Sequence, residues 1–288
     1  MIVKNRQLSY LFCRLDVPIR FLYVRTGFVS RLINRLLFWR LYNSDYRKTD
    51  KKFHRMLEFI ADGNLDFTGK TILELGPGNS YLNAYHLLMR GAKKVILLDK
   101  FPRVSETKKQ KQLENEELEF VLSQYPFEQR SRLAGANVFR EGAIEFVRGD
   151  LADFHEFKDI DFIFSTSVLE HVKDVEGNIA AMSRAVRPGG LIYHFIDMRD
   201  HYNFSEPFLF YKYSDRVWRK YMTKEGISYT NRVRYGDFMR MFKACGFETI
   251  KEETARFPVG RQPVDPCFTG RGDLDVGTLE IFCEKNDL

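Results

Sequence analysis

The spacing of apolar positions divides the chain into two textures. Over residues 1–60, Phe21, Val24, Phe28, Leu32, Leu36 and Trp39 recur every three or four positions, which predicts an aromatic-rich helical segment. A polar turn at 66–70 closes it. From Thr71 onward, short apolar runs at 71–75, 94–98, 144–148, 161–165 and 191–196 alternate with longer helical patterns. Strands alternating with helices predict an α/β fold, a doubly wound and mostly parallel sheet with helices on both faces. Right-handed crossovers then gather the loops at the carboxyl ends of the strands, where ligands bind in such sheets.

Three stretches depart from plain alternation. Residues 106–123 form a highly charged pattern expected to be a surface helix ending before Pro126. Residues 200–235, rich in Phe, Tyr, Arg and Lys, are expected to form a lid over the ligand crevice. The runs at 247–253 and 277–285 have no helical pattern between them and predict a C-terminal antiparallel hairpin joined by a Pro/Gly-rich connection. The expected organisation is a basic helical extension or cap over 1–65 and an α/β domain over 66–288.

Charge changes the picture at one end. The net charge is +6, yet residues 1–60 carry 13 basic and 4 acidic residues, so the rest of the chain is slightly acidic. A nucleic-acid-binding core is therefore not expected. The basic segment suggests peripheral contact with anionic lipid, but Arg35 falls between Val24 and Phe28 on a helical wheel, and Arg40 coincides with Leu22. A helix lying on a membrane separates its charges more cleanly, which favours a cap packed on the sheet domain. No run approaches the roughly 20 apolar residues of a spanning helix. Cys13, Cys245, Cys267 and Cys283 lie far apart, and this spacing suggests a reducing, cytoplasmic setting without a disulfide framework.

The strongest local signal is Thr71-Ile-Leu-Glu-Leu-Gly76-Pro-Gly78-Asn-Ser80, a strand and a glycine turn before a helix expected over 81–90. Glycines let the backbone turn sharply and approach a ligand, and the helix points free N–H groups at the same spot. The second strand ends in Asp99, placed to accept two ribose hydroxyls of a nucleoside lying across the strand ends. The plain alternative is a tight βα turn and a surface aspartate. A dinucleotide shares this physics but wants a third glycine where Tyr81 stands. Glu74, at the end of the first strand, instead suits an ammonium or sulfonium cation.

These residues resemble the cofactor motif of class I S-adenosylmethionine-dependent methyltransferases, and later segments agree in order and spacing. Gly149-Asp150-Leu151 follows the third strand. Asp161-Phe-Ile-Phe-Ser-Thr-Ser167-Val-Leu-Glu170-His171-Val172 is similar to the family's fourth strand and the loop beyond it. Arg187-Pro-Gly-Gly190 is similar to its turn into the fifth strand. The resemblance implies a Rossmann-like fold, S-adenosyl-L-methionine as cofactor, and methylation of a small-molecule or glycan-like acceptor. It places Gly76 and Gly78 under the methionine part, Glu74 near its ammonium, Asp99 on the ribose and Asp150 near the adenine amino group, with Leu151 packing on the ring. Ser165 and Thr166 would end the fourth strand beside the cofactor. Asp150 also suits an N-cap for a helix over 151–157.

Methyl transfer from a sulfonium needs alignment and exclusion of water, and a base only when the acceptor carries a proton. The candidates are His171 after the fourth strand, and Asp197 and His201 after the fifth. His201 leads because it opens the lid; Glu170 suggests a supporting acid, and His194 a core residue. Ser165-Thr-Ser stands where methyltransferases of exocyclic base amines carry Asn-Pro-Pro-Tyr or Asp-Pro-Pro-Tyr. Pro266-Cys267 falls outside the loops expected to hold a nucleophile, and no metal-ligand spacing appears. In the lid, the aromatics of 208–221 with Lys212, Arg216, Arg219, Lys220, Arg232 and Arg234 suit an anionic or sugar-containing acceptor, or else a helical lid with core aromatics and solvated cations. The rival readings are a methyltransferase fold that has lost chemistry and acts as a binding protein, and a dinucleotide oxidoreductase.

Overall fold

The apolar runs become strands because branched and aromatic side chains alternate onto two faces that are both covered. The computed structural model describes residues 45–61, 65–100, 108–133, 142–201, 206–221 and 230–286. Seven strands form one sheet: β1 (Thr71–Leu75), β2 (Lys94–Asp99), β3 (Ile144–Arg148), β4 (Ile160–Thr166), β5 (Val186–Asp197), β6 (Phe247–Arg256) and β7 (Val276–Lys285). Their order is β3-β2-β1-β4-β5-β7-β6. Neighbours from β3 to β5 are parallel, and β7 runs antiparallel to both β5 and β6. The chain order reverses between β1 and β4, which opens a crevice at their carboxyl ends.

Helices α1 (Tyr46–Ile60), α2 (Leu82–Met89) and α3 (Lys108–Ser123) lie on one side of the sheet. Ile72, Val95, Leu97, Phe162 and Phe164 point towards them. On the other side, Leu73, Ile96, Ile163 and Ile192 meet α4 (Val175–Ala185) and α6 (Tyr235–Ala244). A short helix, α5 (Asp215–Tyr221), lies in the lid. Phe53, Met56, Phe59 and Ile60 are buried on α1, whose Arg55 reaches the buried Glu280 on β7 at 3.0 Å. Tyr193 on β5 donates its hydroxyl to the same carboxylate at 2.6 Å. The helical pattern from Phe21 to Trp39, and with it the arginines of the proposed cap, lies outside the described residues.

Four local expectations are corrected. The helix at 106–123 is not purely a surface element, because Val121 and Glu117 are fully buried. The helix expected after Asp150 shrinks to a 3-10 turn, Leu151–Asp153. The turn Arg187-Pro-Gly-Gly190 is absorbed into β5 as an irregularity, with pairing shifting from Ile160↔Val186 to Phe162↔Leu191. Of the two readings of the lid, the described rings take the core one, but two of its cations are not solvated: Phe208, Phe210, Tyr211, Tyr213 and Trp218 form their own core with Phe268. Arg232 and Arg234 are also buried in it. Among the described residues, no helix is long and apolar enough to cross a membrane.

Candidate active site

β1 delivers Glu74 to the crevice and then turns through Gly76 and Gly78, at φ +66° and +64°. These left-handed angles disfavour residues with a Cβ. Space separates the two glycines. A Cβ on Gly76 would lie 2.5 Å from Cγ2 of Val168, so the turn after β1 packs directly on the loop after β4. A Cβ on Gly78 would meet nothing within 4 Å. The turn is tied to β2: Gly76 N–H donates to the Leu98 carbonyl at 2.8 Å, and Gly78 N–H to Asp99 Oδ2 at 3.1 Å.

Acidic groups crowd this turn. Burial pushes the Glu74 carboxyl up to about 8. Asn83 on α2 donates to its Oε1 at 2.7 Å, while Oε2 has no hydrogen-bond partner. A second buried acid was not among the sequence candidates. Glu117 on α3 accepts from Ser80 Oγ at 2.7 Å and from Tyr81 N–H at 2.9 Å, so a carboxylate already occupies the start of α2. Helix starts otherwise hold anions such as pyrophosphate. Here a phosphate would meet Glu117 as well as Glu74 and Asp99, which weighs against a dinucleotide and favours a cationic ligand. Among the many acids of α3, the available signal was the position of Glu117 one turn before the apolar Val121.

The remaining cofactor candidates separate. Asp150 is half-buried after β3 and accepts from Ala152 N–H at 3.4 Å, capping its turn, while the adjacent Gly149 N–H donates to the Asp99 carbonyl at 2.9 Å. Leu151 is buried against the sheet. Ser165 is fully buried and shares a 2.7 Å hydrogen bond with Nδ1 of His194, which burial holds down to about 3. That bond turns the Ser165 hydroxyl into the core, and Thr166 beyond it is half-buried.

The ends of β4 and β5 bring together the residues considered for catalysis. The rings of His171 and His201 meet edge to face with centroids 4.8 Å apart, although 30 positions separate them in sequence. His201 Nε2 lies 3.7 Å from Asp197 Oδ2. Burial raises the Asp197 pKa, but hydrogen bonds from Arg199 and the contact with His201 outweigh it, holding the carboxyl below the usual carboxylate range. Arg199 engages Asp197 with two bonds of 2.8 and 2.7 Å. A carboxylate held this way is a poor proton acceptor and a good orienting partner for an imidazole. Beside them Glu170 is 1% exposed. Neither of its oxygens makes a hydrogen bond of ordinary geometry, the nearest donors being its own backbone N–H and that of Asp197. Desolvation raises its pKa strongly.

The segment by which the lid returns fixes these loops. Asn231 Nδ2 donates to the Leu169 and Val172 carbonyls at 2.6 and 2.9 Å, and Asn231 N–H to the Glu170 carbonyl at 2.8 Å. Arg234 donates to the Met198 carbonyl at 2.8 Å and also to that of Val276, with its guanidinium 5.3 Å from the Tyr211 ring. Arg232 pairs with Asp215. Ser167 after β4 and Arg232 in the lid hold left-handed φ angles of +57° and +63° without being glycine, as does Asp159 before β4 at +57°. Asn231 carried no sequence signal, since an isolated Asn in a polar stretch is ordinary.

A family model described as a methyltransferase domain matches residues 38–252, and the chain belongs to that family. With the strand order 3-2-1-4-5-7-6 and the turn Glu74-Leu-Gly-Pro-Gly78, it is a class I S-adenosylmethionine-dependent methyltransferase. Among solved structures, it is similar to a protein from Galdieria sulphuraria described provisionally as a sarcosine dimethylglycine methyltransferase. That match has TM-score 0.50 and 14% identity, over 82% of this chain and 86% of that one. It is also similar to an S-adenosylmethionine-dependent methyltransferase from Mesorhizobium loti, at TM-score 0.46 and 19% identity, over 82% and 96% of the two chains. No curated protein matches the chain. The residues fit the cofactor: open space over Gly78 admits its backbone-like portion, and the buried, unpartnered Glu74 Oε2 suits its positive charge.

Proposed function

We propose that the protein methylates a hydroxyl or amine of a small-molecule acceptor seated between the glycine turn and the loops after β4 and β5. S-adenosylmethionine would supply a methyl group already activated on sulfur. The chain's own residues would then bind, orient and handle one proton. In this reading Glu74 takes the ammonium, Asp99 the ribose, and Asp150 with Leu151 the adenine end. His201 and His171 act on the acceptor's proton, and Asp197, fixed by Arg199, orients His201. The observation that carries the proposal is this junction: Val168 touches Gly76, and three residues later His171 meets His201, so cofactor turn and histidine pair share one crevice. The lid rings that are described are buried, which favours a small polar acceptor over a long glycan stacked on them.

The test is calorimetric titration of the purified chain with S-adenosylmethionine and, separately, with NAD. One equivalent of S-adenosylmethionine bound and none of NAD is expected. A folded protein that ignores S-adenosylmethionine would overturn the proposal.

A further inference from the structure

Three groups that bind divalent cations converge at the ends of β4 and β5. Glu170, His171 and His201 each bring one ligand atom to within 4.8 Å of the others. Ligands about 2.0–2.2 Å from one ion lie roughly 3–4 Å apart, so small side-chain rotations bring these three onto a shared ion. Two residues come from the turn Leu169–His171 after β4, and the third from the start of the lid.

Glu170 gives the independent sign. Its side chain is buried, neither oxygen makes a hydrogen bond of ordinary geometry, and its Oε1 stands 4.0 Å from His171 Nε2. Burying an acid without partners is costly, and such groups are normally satisfied by hydrogen bonds, an opposite charge or a metal. Lys and Arg side chains make no ion pair with Glu170 among the described residues, although the exposed Lys52 ammonium acts on it from beyond ion-pair distance. The turn itself is held in place: Asn231 binds the carbonyls on either side, at Leu169 and Val172, as well as that of Glu170. The other His-containing cluster, Asp50 with His54 and His86, has no such deficit. There His86 bonds Asp50 and Tyr125 through its two ring nitrogens, each at 3.0 Å.

We propose that Glu170, His171 and His201 hold a divalent transition-metal ion beside the methyl-transfer site. Two imidazoles and one carboxylate suit Mn²⁺, Fe²⁺ or Zn²⁺ and leave coordination positions open. This rests on the proposed function and changes one role within it: the histidines serve as ligands instead of acting on the proton, and the ion lowers the pKa of an acceptor hydroxyl placed on it. The hydroxyl's proton is released to solvent, and the acceptor class narrows from hydroxyl or amine to a hydroxyl compound. Sequence spacing alone missed the set because the third ligand comes from another loop.

The experiment uses the full chain, stripped with chelator and titrated with MnCl₂, following loss of the free-ion paramagnetic resonance signal, and in parallel with ZnCl₂ by calorimetry. One equivalent should bind. Glu170→Gln and His201→Gln should each weaken binding by more than about 10-fold, the least expected even from loss of an outer-sphere partner. S-adenosylmethionine affinity, measured on the same samples, should change little. A folded wild-type chain that leaves both ions free at about 1 mM, or variants that bind like wild type, would overturn the cation site. Because Glu170 is buried, folding of Glu170→Gln is checked separately, and the wild-type titration and His201→Gln decide independently of it. Absence of S-adenosylmethionine binding would count against the proposed function, while the ion titration still decides this inference.

Discussion

The two halves of the crevice are built by different means. The half around β1 and β2 comes from a nearly continuous stretch, Glu74 to Asp99, and works through backbone: two left-handed glycines, a helix start and a strand end. The half around β4 and β5 is assembled from Glu170, His171, Asp197, His201 and Asn231, and works through side chains that meet across loops. A backbone device constrains residue type at each position and therefore shows in a short motif. A side-chain assembly can be supplied from several places, so its members can change with the acceptor. Val168 against Gly76 is where the two halves touch.

The sharpest way to break the contrast is to add one methyl group at that contact. Gly76→Ala combines a left-handed backbone with a 2.5 Å clash against Val168 and should cost about 2–4 kcal/mol of stability. Gly78→Ala meets open space and should cost about 1 kcal/mol. Thermal or urea unfolding measures both, and equal losses would show that backbone angle rather than loop packing decides the turn.

On the side-chain half, His201→Ala should lower turnover about 100-fold with cofactor affinity nearly unchanged. A parallel fall in cofactor affinity would mean that the halves are not separable. Asp99→Ala should do the reverse, weakening S-adenosylmethionine by about 1–3 kcal/mol in a titration. Its backbone contact to Gly78 makes a small loss of stability an expected accompaniment.

A further test varies pH. The Glu74 carboxyl is raised from 4.5 to about 8 by burial. Neutral Glu74 therefore favours the folded free protein below pH 4.5, and that contribution is lost as pH rises towards 8. A cationic ligand favours the ionised form, so S-adenosylmethionine affinity should strengthen between pH 6 and 8, by at most about tenfold per unit, and level off above. Glu74→Gln should remove that slope; a slope that persists would place the titrating group elsewhere.

The same division explains what the sequence revealed. The strand runs and the late antiparallel pair follow from hydrophobic period, and each appears where the spacing puts it, whereas the order of the strands does not follow from it. Glu74, Gly76, Gly78 and Asp99 were legible because one turn dictates them. Glu117 was hidden among neighbouring acids, since only the packing of α3 shows which glutamate turns inward. Asn231 and the pairing of His171 with His201 depend on how the lid returns, which no local pattern encodes. The lid's aromatic content was plain, but composition could not distinguish a binding wall from a small core of its own.

The position of β7 has a consequence for how the chain is made. β5 finds its outer neighbour in β7, although the whole lid, α6 and β6 are synthesised in between. Until β7 emerges, the backbone edge of β5 stays open to any other strand, including one from a second nascent chain. The carbonyls of Val276 and Gly277 that bind Arg234 and Met198 arrive at the same moment. The loop carrying Asp197 and His201 is therefore among the last parts to be secured, and a ribosome that stalls before Val276 would release a chain with an assembled cofactor turn, an unfinished acceptor side and an edge prone to aggregation.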